Sequence, residues 1–174
     1  MTAWTWWWGE RMKTKKLTVL SLCIAIAMVL SFIESQIPAF VAIPGVKAGL
    51  ANIAVVYALY KLGWKEAILV SMVRVVLVSL LFGNFMSLFY SLAGAALSLI
   101  GMIVLKKTDR FSCVAVSVTG GVLHNIGQIL IAGIILETDV LRYYLPFLLV
   151  SGTIAGIIIG ILAAYLVRRV DVKI

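Results

Sequence analysis

Three hydrogen-bonding side chains, His124, Asn125 and Gln128, fall inside the otherwise apolar run TGGVLHNIGQILIAG at 119–133, and His124 is the sole histidine of the chain. On a helix His124 and Gln128 stand one turn apart on the same face, with Asn125 about 100° round. Neutral donors and acceptors at this spacing suit directional recognition of a small molecule. Their bland alternative is interhelical hydrogen bonding, typically about 0.6 kcal/mol each in a membrane. A second polar intruder is Arg74, midway along VSMVRVVLVSL. It lies roughly 12 Å from either end of its run at 1.5 Å per residue, too deep for easy snorkelling. A guanidinium there meets either a carboxylate, for which Glu34 is the best placed, or an anionic ligand.

The surroundings decide how these groups read. Of 174 residues, 63% are hydrophobic and 13% charged, and the mean hydropathy is +1.13. Soluble domains carry about 25% charged residues. The chain is therefore an all-α integral membrane protein, since only helices or closed barrels satisfy the backbone in lipid and the apolar runs approach the roughly 20 residues of a spanning helix. Six runs stand out, at 17–33, 48–60, 66–82, 86–105, 111–136 and 143–167. The second is short and draws on the preceding loop. They make one six-helix domain over 17–170, flanked by tails at 1–16 and 171–174.

The net charge of +8 does not indicate nucleic acid, because the cations form short clusters between apolar runs. Twelve of the fifteen, from the N-terminal cluster through Lys61, Lys65, Lys106, Lys107 and Arg110 to Arg168, Arg169 and Lys173, fall on one side of a six-span arrangement. The opposite loops hold Lys47 and Arg142. The positive-inside bias places both termini in the cytoplasm of a multi-pass cell-membrane protein. The opening MTAWTWWWGERM is rich in tryptophan, which favours the headgroup region, or it precedes a true start at Met12.

Polar residues also gather toward the far side: Glu34, Lys47, Asn52, Asn84, Ser87, Tyr90 and Ser91. The cytoplasmic halves of the runs are almost purely apolar. This predicts a shallow, outward-facing pocket for a small molecule rather than a channel, which needs polar lining at both ends. Lys47, Arg74 and His124 against Glu34 favour an anionic ligand, with Asn52, Tyr90, Asn125 and Gln128 as further contacts. The greasy loop ESQIPAFVAIPGVKAG, with Pro38, Pro44 and Gly45, folds onto the protein as a lid or lies as a plain interfacial loop. Gly152, Gly156, Gly160 and Ala164 repeat at fourfold spacing, a groove for close helix approach.

Chemistry for catalysis is missing from the sequence. It holds no aspartate-rich Mg²⁺ motif, no Gly-Lys-Ser/Thr phosphate loop and no Gly-x-Ser-x-Gly elbow. One histidine and the separated Cys23 and Cys113 make no zinc site. The reading is a non-enzyme without cofactor or metal.

Several segments together resemble the Gx transporter family, also called heptaprenyl diphosphate synthase component I: IPGVKAGLANI at 43–53, ALYKLGWKEAILVSMVRVVLVSLLFG, SLFYSLAGAALSL, GGVLHNIGQILIA and YYLPFLLVSGTIAGIIIG. The family looks like the S components of energy-coupling-factor transporters. The resemblance implies capture of a vitamin or precursor from outside, beneath a lid between helices one and two. It also implies work with a transmembrane coupling protein and two ATPases. S components often dock through an Ala-x-x-x-Ala patch on helix one; the nearest equivalents are Ser21 with Ala25 and Cys23 with Ala27, a departure from that pattern. The synthase name implies instead an accessory membrane subunit in isoprenoid or quinone synthesis. A solitary transporter is the third expectation.

Overall fold

The computed structural model describes residues 14–36, 49–83, 85–136 and 141–170. Lys47, Pro38, Pro44, Gly45 and Asn84 lie outside them, as do the two tails at 1–13 and 171–174. The described chain is all helical: α1 Thr14–Gln36, α2 Asn52–Lys61, α3 Trp64–Phe82, α4 Phe85–Lys107, α5 Cys113–Leu136 and α6 Leu141–Arg169. α1, α4, α5 and α6 are each long and apolar enough to cross a membrane. Their outward residues, such as Leu22, Phe89, Ile134 and Ile161, are exposed large hydrophobics, as lipid contact requires. The protein is a multi-pass membrane protein.

The two remaining helices differ from the expected spans for physical reasons. α2 has 10 residues, about 15 Å of helix, half the thickness of a hydrocarbon core. It survives because Ala54 to Leu59 are all buried, so neighbouring helices rather than lipid surround it. α3 is long enough at 19 residues but carries Lys65, Glu66 and Arg74.

Short links join the helices. Gly63, at φ +129°, turns α2 directly into α3, a backbone state that an L side chain rarely adopts. Leu62 and Gly63 both donate their N–H groups to the Ala58 carbonyl. The Leu59 carbonyl is thereby left for another donor, and the Lys106 ammonium at the end of α4 takes it. Ser112 accepts the Ala115 N–H at 3.1 Å and so caps α5.

The basic end of the bundle is knit by its cations. Lys16 of α1 pairs with Glu66 of α3 at 2.5 Å. Lys106 lies over the Tyr60 ring, and Lys65 and Lys107 over Trp64.

The glycine stripe of α6 turns inward and meets α5. A Cβ on Gly156 would stand 2.6 Å from Val118 Cα, one on Gly160 2.7 Å from Val114 Cα, and one on Gly121 2.6 Å from the Gly152 carbonyl oxygen. The two backbones touch, which in lipid supplies the dispersion contact that holds helices together. α4 seats on the other side of α5, with Gly94 against the His124 carbonyl and Gly127 against Ala93.

Candidate functional site

Between these layers lies a cavity of about 230 Å³. Its wall is supplied by every helix. α1 gives Ser31, Glu34 and Ser35, and α2 gives Asn52, with Gly49 just before it. α3 gives Arg74, Val75, Val78, Ser79 and Phe82, and α4 gives Ser87 and Ser91. α5 contributes Ser117, Gly121, His124 and Asn125, and α6 Gly152, Ala155, Gly156 and Ile159. Glu34, Asn52 and Phe82 put its mouth at the end opposite the basic cluster.

Arg74 dominates its electrostatics. The guanidinium Nε is buried and has no hydrogen-bond partner. Glu34 acts on it electrostatically, yet the Glu34 carboxylate is engaged elsewhere, accepting the Gly49 N–H at 2.6 Å. Gly49 has φ +73° and its carbonyl accepts the Asn52 N–H at 2.8 Å. Glu34 therefore ties the end of α1 to the turn that starts α2, across the segment 37–48.

Of the sequence candidates, Asn52, Arg74, His124 and Asn125 reach the cavity wall together with Glu34. Asn125 is 9% exposed and its amide donates to the Leu148 carbonyl at 2.6 Å, so one of its donors is committed to α6. Tyr90 and Gln128 are not brought to the wall. Gln128 lies against Gly94, within 3.0 Å of an added Cβ, and so faces α4. Tyr90 sits one residue round from Ser91, which does line the cavity. Of the α1 candidates, Ser21 and Ala25 are exposed on the outer face, while Cys23 and Ala27 are buried in the core.

The cavity is deeper than the shallow pocket expected. On α5 its lining begins at Ser117, one turn into the helix. Sequence reasoning passed over Ser31, Ser79 and Ser117 as site residues, although all three are buried and line the wall. The available signal was periodic: Ser71, Val75 and Ser79 run down the buried face of α3. The cavity wall thus brings one guanidinium, Arg74, and one carboxylate, Glu34, together with these hydroxyls and the His124 and Asn52 side chains. Among the described residues no three His, Cys, Asp or Glu side chains gather as metal ligands.

The chain matches the family model for heptaprenyl diphosphate synthase component I over residues 23–166. It belongs to that family. Among solved structures it is similar to one described as "Structure and mechanism of the S component of a bacterial ECF transporter". The identity is 24%, the TM-score 0.64, and the match covers 91% of this chain and 96% of the other. At that identity the likeness establishes a shared fold. Among curated proteins none matches the chain significantly.

Proposed function

We propose that this chain is the membrane-embedded substrate-binding subunit of a small-molecule importer, and that the central cavity is its ligand site. The observation that carries the reading is Arg74: a buried guanidinium Nε, without a hydrogen-bond partner, on the wall of a cavity inside a membrane protein. A buried N–H left unpaired in such surroundings is costly, and an acceptor on a bound ligand relieves that cost. Asn52, His124 and Asn125 supply directional contacts beside it, and Lys47 is proposed, from the sequence alone, as a second cation for the ligand. The segment bearing Pro38, Pro44 and Gly45 is proposed, from the sequence alone, as the lid.

The basic end faces the cytoplasm, so the mouth faces outward and the ligand is a vitamin or precursor taken from outside. In this reading the protein is not an enzyme. A transmembrane coupling protein docks on the outer face of α1 around Ser21 and Ala25, and two ATPases energise the assembly. The S-component fold supports this assignment. The family description favours a second reading, an accessory membrane subunit in heptaprenyl diphosphate synthesis.

Gentle purification followed by mass spectrometry of both proteins and extracted small molecules tests the two. The importer reading expects a coupling protein, two ATPases and a small anion that disappears in Arg74→Gln. A soluble prenyl diphosphate synthase as the retained partner would replace it with the second reading. Uptake into liposomes by the purified chain alone would make it a solitary transporter.

A further inference from the structure

Two contacts fix the level of α1 against α3. Lys16 pairs with Glu66 at 2.5 Å at the basic end, and the Phe32 and Phe82 rings meet at the other end, centroids 5.2 Å apart. Both pairs differ by fifty in residue number, so the two helices run parallel and in step. Glu34 is therefore level with the end of α3, about ten residues beyond Arg74, or roughly 15 Å toward the mouth. Both side chains line the one cavity, and the carboxylate acts on the guanidinium. Yet among the described residues neither a hydrogen bond nor an ion pair joins them. The Glu34 carboxylate accepts the Gly49 N–H, and the Arg74 Nε has no partner. Between the two charges the α3 wall is apolar. Arg74, Val78 and Phe82 all line the cavity at fourfold spacing, so they stand one above another on a single face. From the deep end to the mouth this face offers a cation, a valine and an aromatic ring, with Glu34 close to the level of the ring.

The guanidinium and the carboxylate balance each other and polarise the cavity along its length. A ligand with a single negative charge would satisfy Arg74 but would bring one excess charge into surroundings of low dielectric, beside Glu34. A ligand of zero net charge with separated ends meets both groups. We propose that the central cavity takes a zwitterion, an acid and an amine joined by an apolar stem. Its carboxylate lies on Arg74 at the deep end, its stem along Val78 and Phe82, and its ammonium on Glu34 at the mouth. The inference rests on the reading of the cavity as a ligand site, and it replaces a simple anion by a dipolar molecule. Glu34 can serve Gly49 and the ligand together, because a carboxylate offers about four lone-pair sites and one N–H occupies one of them.

The test is calorimetric titration of the full chain in nanodiscs of zwitterionic lipid at neutral pH. The probes are butyrate, butylamine and three ω-amino acids, 4-aminobutyrate, 6-aminohexanoate and 8-aminooctanoate, which step the distance between the charges. At least one amino acid should bind about tenfold more tightly than either butyrate or butylamine, as one added charge-assisted hydrogen bond provides. Glu34→Gln should move the two kinds of probe in opposite directions. The amino acid should lose about tenfold, whereas butyrate should gain, because its repulsion by the carboxylate is gone. Binding of butyrate by this variant also shows that its cavity is intact. Arg74→Gln should abolish binding of both; if that variant does not fold, the opposite signs in Glu34→Gln decide alone. A gain by the amino acid as well as by butyrate in Glu34→Gln would overturn the zwitterion, as would tightest binding by butylamine. If butyrate binds and no amino acid improves on it, the ligand site stands and the zwitterion falls. If no probe binds, both fall.

Discussion

The side-chain nitrogen of Asn125 donates to the backbone carbonyl of Leu148 across 2.6 Å, joining the middle of α5 to α6. The same carbonyl accepts the Ser151 hydroxyl at 3.1 Å. Asn125 thus serves the bundle as well as the cavity. Asn125→Ala should lower stability by about 0.6–1.7 kcal/mol, the range for interhelical hydrogen bonds in membranes. Thermal unfolding in detergent checks this. An unchanged melting temperature would show that the amide is not needed to hold α6.

The contact between α5 and α6 makes a sharper claim about glycine. On Gly156 an added methyl would stand 2.6 Å from Val118 Cα, whereas Gly133, farther along α5, has nothing within 4 Å. Gly156→Ala should therefore destabilise by about 1–3 kcal/mol through overpacking. Gly133→Ala should be neutral or stabilising by up to about 1 kcal/mol, because it removes backbone freedom from a helix interior. Parallel melting curves of the two variants test the contrast, and similar shifts in both would contradict the packing described.

These glycines also show what the sequence could disclose. The fourfold spacing in α6 announced a close helix contact, and the contact exists, but nothing in the spacing named α5 as the partner. The helices themselves were legible because lipid leaves the backbone no alternative. α2 was harder, since its short apolar run is buried by protein rather than by lipid. Within the site, Arg74 and Asn125 were conspicuous as polar groups in apolar runs. Serines were not, because a hydroxyl in a membrane helix can satisfy itself on its own backbone. Thr119 does so on Ala115 and Thr153 on Leu149. Only the fold distinguishes these from Ser79 and Ser117, which face the cavity. Gln128 shows the reverse case: its polarity suggested the pocket, whereas the structure sets it against Gly94 of α4.

The junction of α2 and α4 gives a third expectation. Gly63 sends its N–H to Ala58, so the Leu59 carbonyl relies on the Lys106 ammonium. Lys106→Met keeps the apolar stem but removes the donor. It should destabilise by about 1.5–3 kcal/mol, the usual range for a hydrogen bond to a charged group. Lys106→Arg should restore much of that loss. Hydrogen exchange at Leu62 and Gly63 should rise in the methionine variant, locating the loosening at the end of α2.

Glu34 has two separable roles at the cavity mouth. Its carboxylate accepts the Gly49 N–H, and its charge acts on Arg74. Glu34→Gln keeps an acceptor for Gly49 and removes the charge. If Arg74 is the anion-binding group, this variant should bind a short carboxylate such as butyrate more tightly. A nearby charge at an effective dielectric constant of about 20 is worth roughly 1–2 kcal/mol, a factor of about 5–30 in affinity. Glu34→Ala removes both roles, so the gain in affinity should come with a loosened tie between α1 and α2, seen as faster hydrogen exchange at Gly49 and Asn52. In Arg74→Gln the effect of Glu34→Gln should vanish, because the charge no longer has its cation to oppose. Calorimetry on the four proteins of this cycle measures the coupling directly. Equal gains with and without Arg74 would show that Glu34 repels the ligand itself, and the role given to the guanidinium would have to be withdrawn.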